Sequence, residues 1–254
     1  MAAKKYVPLL VLLGILVVAL VPPLPALAAT ILYPDLRIKH VDTFELDTTT
    51  MPGHRLLRFT SIMVNVGAGA FEVRGYRLTT GSNFLVYQRE YDTAGGHRDV
   101  LTPAHMVYDV GDGHTHWHLK NLQKSTLVAL GSTQQSRTGA KIGFCFFDNA
   151  PYNLSLPGAP PQAVYNQPPA CSPNDPNALA VLMGLSIGWE DIYSFDIAQQ
   201  WIDITGLPNG AYRLTVTADH NHHFAETDNT NNFTWVDIWI GNNGVTILLQ
   251  GPGA

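Results

Sequence analysis

A mainly β fold, a β-sandwich core with long loops and little helix, is what this sequence predicts. Three observations point there. Apolar and polar residues alternate with period 2 in several short runs, 22 Gly and 17 Pro punctuate those runs, and almost no stretch carries the apolar period of a helix. Hydrophobic residues make up 46% and charged residues 14% of the 254, the balance of a packed domain and not of a disordered chain or coiled coil. No internal repeat or linker marks a second domain. The formal charge is −5 and no basic block is present, which excludes the electrostatic footprint of a nucleic-acid binder.

In chain order, residues 1–28 read as an export signal. Lys4 and Lys5 supply a basic start, Tyr6 to Val21 is almost wholly apolar, and Ala26-Leu27-Ala28 offers the small residues of a cleavage site. Pro8, Pro22 and Pro23 hold the apolar run below the roughly 20 residues of a membrane span, although an uncleaved anchor is the alternative. Cleavage leaves residues 29–254 as the working domain, outside the cytoplasm and without a membrane span, with 13 basic against 20 acidic residues. Strands are expected at Leu56 to Val66, His116 to Leu130, Lys141 to Phe147, Gln200 to Ile204 and Phe233 to Ile240. Tyr212, Leu214 and Val216 alternate with Arg213, Thr215 and Thr217 after a Pro208-Asn209-Gly210 turn, as in a half-buried strand after a tight reversal. Ala178 to Leu185 reads as a turn or two of helix. Cys145 and Cys171, an even count in an exported chain, read as one disulfide; two buried thiols or metal ligands are the alternative.

The densest chemistry is Gly111-Asp112-Gly113-His114-Thr115-His116-Trp117-His118. On a strand, alternate residues face the same way, so His114, His116 and His118 would present three imidazoles together. That is a metal site's donor set, and burying it empty would cost desolvation and like-charge repulsion. An exposed His-rich strand is the bland alternative. Spacing leaves zinc and copper both open. His220, His222 and His223 read as solvated loop residues.

Taken in order, the Leu56 to Phe59 strand, Asp112 to His118, Lys141-Ile142-Gly143-Phe144-Cys145, Gly188 to Tyr193, Gln200 to Thr205 and Glu226 to Asn232 resemble the lysyl oxidase family, in particular its cysteine-poor microbial-type members. The resemblance runs from about Pro34 to about Ile240. It implies Cu(II) held by His114, His116 and His118. It also implies a lysine tyrosylquinone built from Lys141 and Tyr193, and a bridge between Cys145 and Cys171 beside the quinone-bearing region. The implied reaction converts primary amines, with peptidyl lysine a candidate, to aldehydes using molecular oxygen, with ammonia and hydrogen peroxide released. Asp191, two residues before Tyr193, is the candidate base because it is the nearby carboxylate; Glu190 would lie on the other strand face. Animal members carry further cysteines that this chain lacks.

Glu226-Thr227-Asp228-Asn229-Thr230-Asn231-Asn232 gathers two carboxylates and three amides in seven residues. Calcium takes six to eight such oxygens, and a polar hairpin loop is the bland alternative. By the resemblance, Asp35, the Leu36 carbonyl, Glu226, Asp228, Asn231 and Asn232 would bind calcium in a structural role. Two rival functions stand beside the amine oxidase. One is a non-catalytic exported metal-binding or adhesion module on the same fold. The other is a zinc hydrolase using the three histidines and a metal-bound water.

Overall fold

Period-2 segments that bury one face and expose the other can only be satisfied by pairing edge to edge. The computed structural model describes residues 2, 28–108, 111, 113–131, 136–166 and 168–254, and among these it contains twenty strands and no helix. The first half comprises β1 (Ile31–Leu32), β2 (Leu36–Ile38), β3 (Phe44–Asp47), β4 (Leu56–Phe59), β5 (Ser61–Asn65), β6 (Phe71–Tyr76), β7 (Leu85–Asp92), β8 (His97–Thr102), β9 (Met106–Val107) and β10 (His118–Lys120). The second half comprises β11 (Gln123–Ala129), β12 (Ser136–Thr138), β13 (Gly143–Phe144), β14 (Ala150–Pro151), β15 (Ala180–Leu185), β16 (Trp189–Tyr193), β17 (Trp201–Asp203), β18 (Gly210–Ala218), β19 (Phe233–Ile240) and β20 (Val245–Gln250).

The strands form antiparallel sheets. The largest runs β12-β11-β18-β19-β20, and a four-stranded sheet runs β14-β16-β5-β2. A third joins β1, β7, β6 and β15, with β8 on β7; smaller sheets are β13-β10-β9 and β17-β4-β3. β2 lies against β18 and β19, which gives the sandwich core. Leu36, Ile38, Leu214, Val216, Val236 and Ile238 meet there, each at most 1% exposed. Full burial of each such side chain stabilises by about 1.5–3 kcal/mol.

The expected strand at Gln200 to Ile204 appears as β17, and those at Phe233 to Ile240 and after Pro208-Asn209-Gly210 appear as β19 and β18. Leu56 to Val66 divides into β4 and β5, in two different sheets, at Thr60, whose N–H donates to Thr43 and whose hydroxyl accepts from Phe195 N–H. His116 to Leu130 divides at Asn121, which has φ of 59°. Of Lys141 to Phe147 only Gly143 and Phe144 are in a strand.

The helix expected at Ala178 to Leu185 is not formed: Ala180–Leu185 is β15, paired along its whole length with β6. Ala, Leu and Met favour a helix locally, but burial of Val181, Met183 and Leu185 in the core overrides that preference. Gly184 lies under the Tyr165 ring, where a Cβ would come within 2.3 Å of ring carbons. The export signal expected at 1–28 lies outside the described residues but for Ala2 and Ala28, as does Asp112 of the histidine motif.

Candidate functional site

The three histidines converge without a continuous strand. Only His118 belongs to one, β10; His114 and His116 precede it in irregular chain, so the expected ladder is a strand at its last member alone. Their ring centroids nonetheless lie 5.1, 5.9 and 4.5 Å apart, and one nitrogen from each falls within 4.8 Å of the others. Imidazole–metal bonds of about 2 Å need nitrogens about 3–4 Å apart, so a small closure of the rings would complete the set.

What holds this irregular stretch is the loop after Cys171. Trp117 N–H donates to the Cys171 carbonyl at 2.9 Å, and the Trp117 indole donates to the Asp175 carbonyl at 2.9 Å. Asn174 N–H donates to the Thr115 carbonyl at 2.6 Å, and the Thr115 hydroxyl to Asn174 Oδ1 at 2.8 Å. Arg77 stacks on Trp117 at 4.7 Å. Thr115 and Trp117 thus face the loop while the histidines face the cavity, the alternation of extended chain retained without a ladder. The Cys145–Cys171 bridge is present, with an S–S distance of 2.04 Å. Asn174, Asp175 and Arg77 carry no sequence signal that would have singled them out.

The cavity beside the histidines measures about 210 Å³ and is lined by Lys141, Cys145, Phe147, Asp191, Ile192, Tyr193 and Ile197 together with the three imidazoles. Lys141 and Tyr193, 52 residues apart in sequence, are brought together here: Nζ lies 5.5 Å from the Tyr193 ring centroid and 5.6 Å from that of Phe144. Phe144 packs edge-on against Tyr193 at 5.1 Å. The Tyr193 hydroxyl donates to the Cys145 carbonyl at 3.3 Å.

Trp189, Asp191 and Tyr193 share one face of β16. Asp191 is 1% exposed. Burial drives its carboxyl up to about 8, against the pull of Tyr193, the Phe147 backbone and the Lys141 charge. Burial and the adjoining Asp191 push the Tyr193 phenol well above its ordinary value. Glu190, on the opposite face, forms an ion pair with Lys39 at 2.9 Å and is directed away from this chemistry.

The oxygen-rich segment meets the start of the domain, as expected. Leu36 N–H donates to Glu226 Oε2 and Asn232 Nδ2 to Glu226 Oε1, both at 2.6 Å; Thr227 N–H donates to the Pro34 carbonyl at 2.8 Å. Asn231 Nδ2 donates to Asp228 Oδ2 at 3.2 Å. Asp35 Oδ1, Asn231 Oδ1 and Asn232 Oδ1 are buried with no hydrogen-bond partner among the described residues. Burial raises the Glu226 carboxyl to about 8, with Asp219 and Asp35 adding repulsion. Arg37 Nη2, 3.4 Å from Asp35 Oδ2, offsets part of this negative charge, and the buried oxygens that remain unpaired are the kind a hard cation takes. His220, expected to be solvated, is half-buried with Nδ1 shielded from solvent, whereas His222 is exposed.

The lysyl oxidase family model matches residues 83–248, more than half of the chain and inclusive of the histidines, Lys141, both cysteines and Tyr193. Lysyl oxidase homolog 2 of Gallus gallus is 29% identical over 188 residues, which is 74% of this chain and 19% of that protein. Protein-lysine 6-oxidase of Homo sapiens is 31% identical over 127 residues, covering 49% of this chain and 26% of the relative. Lysyl oxidase homolog 3 of Homo sapiens shares 47% identity over a 49-residue stretch. The chain thus spans roughly a fifth to a quarter of the length of the longer-matching relatives. With the family's model covering the histidine cluster and both residues of the Lys141–Tyr193 pair, the chain belongs to the lysyl oxidase family.

Proposed function

We propose that this chain is an exported, copper-dependent amine oxidase that converts primary amines, peptidyl lysine among them, to aldehydes. The overall change is RCH₂NH₂ + O₂ + H₂O → RCHO + NH₃ + H₂O₂. The observation that carries the proposal is the placement of Lys141 Nζ 5.5 Å from the Tyr193 ring, beside three convergent imidazoles. Bound copper would supply one-electron chemistry with oxygen, and a quinone derived from Lys141 and Tyr193 the electron sink.

The remaining roles belong to the chain. His114, His116 and His118 would hold the metal as neutral imidazoles. Lys141 is 9% exposed, and its amine would be the nucleophile that caps the oxidised ring. Tyr193 is fixed by the Cys145 carbonyl and the Phe144 ring, so its face stays turned to Lys141. Asp191 would accept a proton at its carboxyl, and its raised pKa suits a base that must also give the proton back. Phe147, Ile192 and Ile197 exclude bulk water and accommodate the alkyl part of an amine. The Pro34–Leu36 and Glu226–Asn232 cluster would take calcium and tie the start of the domain to its last strands, a structural role.

Peptide mass mapping of protein produced with copper under air tests the reading. The expected result is one cross-linked species containing the Lys141 and Tyr193 peptides, lost in His116→Ala. Two separate, unmodified peptides at full copper loading would overturn it and favour a non-catalytic metal-binding module.

A further inference from the structure

A second cavity, of about 160 Å³, adjoins Lys141; of the residues that line the metal-side cavity, it shares Lys141 alone. Its wall includes Gln123, Lys124, Ser125, Thr138 and His220. Thr138 and Lys124 are exposed, so the cavity opens to solvent, while Gln123 at 5% exposure forms its floor. A narrow gap lined by Gln123, Gly139 and Lys141 continues inward.

Two polar atoms in this wall lack partners among the described residues. Gln123 Nε2 donates to Ser61 Oγ at 2.8 Å, which leaves Oε1 buried and unpaired, and His220 Nδ1 is in the same condition. A buried acceptor left unsatisfied is destabilising, and polar cavities of this kind hold ordered water. No carboxylate lines the cavity and two lysines do, so a cationic amine is disfavoured there.

We propose that this cavity is a water site and a second entrance, which holds water on Gln123 and His220 and passes it to Lys141 from the side away from the histidines. Its purpose rests on the amine oxidase reading: each turnover consumes one water, and a separate passage supplies it without competing with the amine in the metal-side cavity. The entrance itself is independent of whether the quinone forms.

Two measurements test it. A crystal structure should show ordered water within hydrogen-bond reach of both Gln123 Oε1 and His220 Nδ1; a dry cavity at high resolution would overturn the proposal. Isocyanic acid, small and neutral, adds across its C=N bond to a Lys amine, forming the N–C bond while the amine proton moves to the reagent nitrogen. With zinc on the histidines throughout, Lys141 should be carbamoylated about fivefold more slowly in Thr138→Trp and in Lys124→Trp, which crowd the rim. Ile192→Trp, on the metal side, should label within twofold of wild type. Labelling of both rim variants at the wild-type rate, or loss of labelling in Ile192→Trp alone, would sink the idea. Full zinc binding and unchanged labelling of exposed Lys120 verify that each variant is folded. A missing Lys141–Tyr193 cross-link would defeat the amine oxidase reading and leave these rates untouched.

Discussion

At Asp191 burial and nearby charge pull in opposite directions. Burial dominates and holds the carboxyl protonated up to about pH 8, with Lys141 and the Tyr193 hydroxyl only partly offsetting it. In the unfolded chain the same group ionises near 3.8. The folded, metal-free protein therefore binds more protons than the unfolded chain between these values, and the stability tied to Asp191 is present at low pH and lost as pH rises toward 8. Asp191→Asn removes this dependence. Urea unfolding of the metal-free proteins should show the variant gaining on wild type by up to about 4 kcal/mol between pH 5 and pH 8; a pH-independent difference would show that the carboxyl is not the titrating group.

Among the elements, the segment between β16 and β17 is held by one buried guanidinium. Arg58, on β4, donates to the Phe195 and Ile197 carbonyls at 3.0 and 3.3 Å, to Asp47 at 2.7 Å and to Thr50 at 2.8 Å, and stacks on Trp201 at 4.6 Å. Ile197 lines the metal-side cavity, so Arg58 sets one wall of the site without touching it. The Thr50 side chain, and after it the Arg58 guanidinium, hold the Asp47 carboxyl far below the usual carboxylate range. Arg58→Met should cost about 3–5 kcal/mol in denaturant unfolding, because it leaves Asp47 buried without its partner. The loop after Cys171 plays the matching part for the histidines. Asn174→Ala removes the side-chain bond to Thr115 while leaving every imidazole in place, and isothermal titration should then show zinc binding about tenfold weaker.

Over the whole molecule, two cross-connections bind distant parts of the chain. The disulfide closes 26 residues of sequence, and on the chain-entropy account this is worth about 3.5 kcal/mol. Replacing both cysteines by serine should lower stability by about that much and, because Cys171 begins the loop that holds Thr115 and Trp117, weaken zinc binding as well. The other is the Pro34–Leu36 and Glu226–Asn232 contact. Its Glu226 carboxyl is raised by burial from 4.5 to about 8. In metal-free protein its stabilising contribution is therefore present below about pH 4.5 and lost as pH rises through 8. A cation there needs the ionised form, so added calcium should raise the melting temperature more at pH 8 than at pH 5, and Glu226→Gln should abolish the difference.

The sequence by itself determined the β class, through period-2 alternation and Gly/Pro punctuation; the spacing of His114, His116 and His118 marked them as a candidate donor set, and Lys141 and Tyr193 became candidates only through the resemblance of ordered motifs to a family. The sequence also paired Cys145 with Cys171, the two cysteines it contains. Tertiary structure decided what pairing and burial decide. Ala178 to Leu185 has helix-forming letters, yet the core and β6 make it a strand. The histidines converge because Asn174 and the Cys171 and Asp175 carbonyls hold the residues between them, and those partners lie about 60 residues away with no local pattern to announce them. The approach of Lys141 to Tyr193, the burial that raises Asp191 and the cavity beside Gln123 and His220 follow likewise from contacts between sheets, which leave no period in a linear sequence.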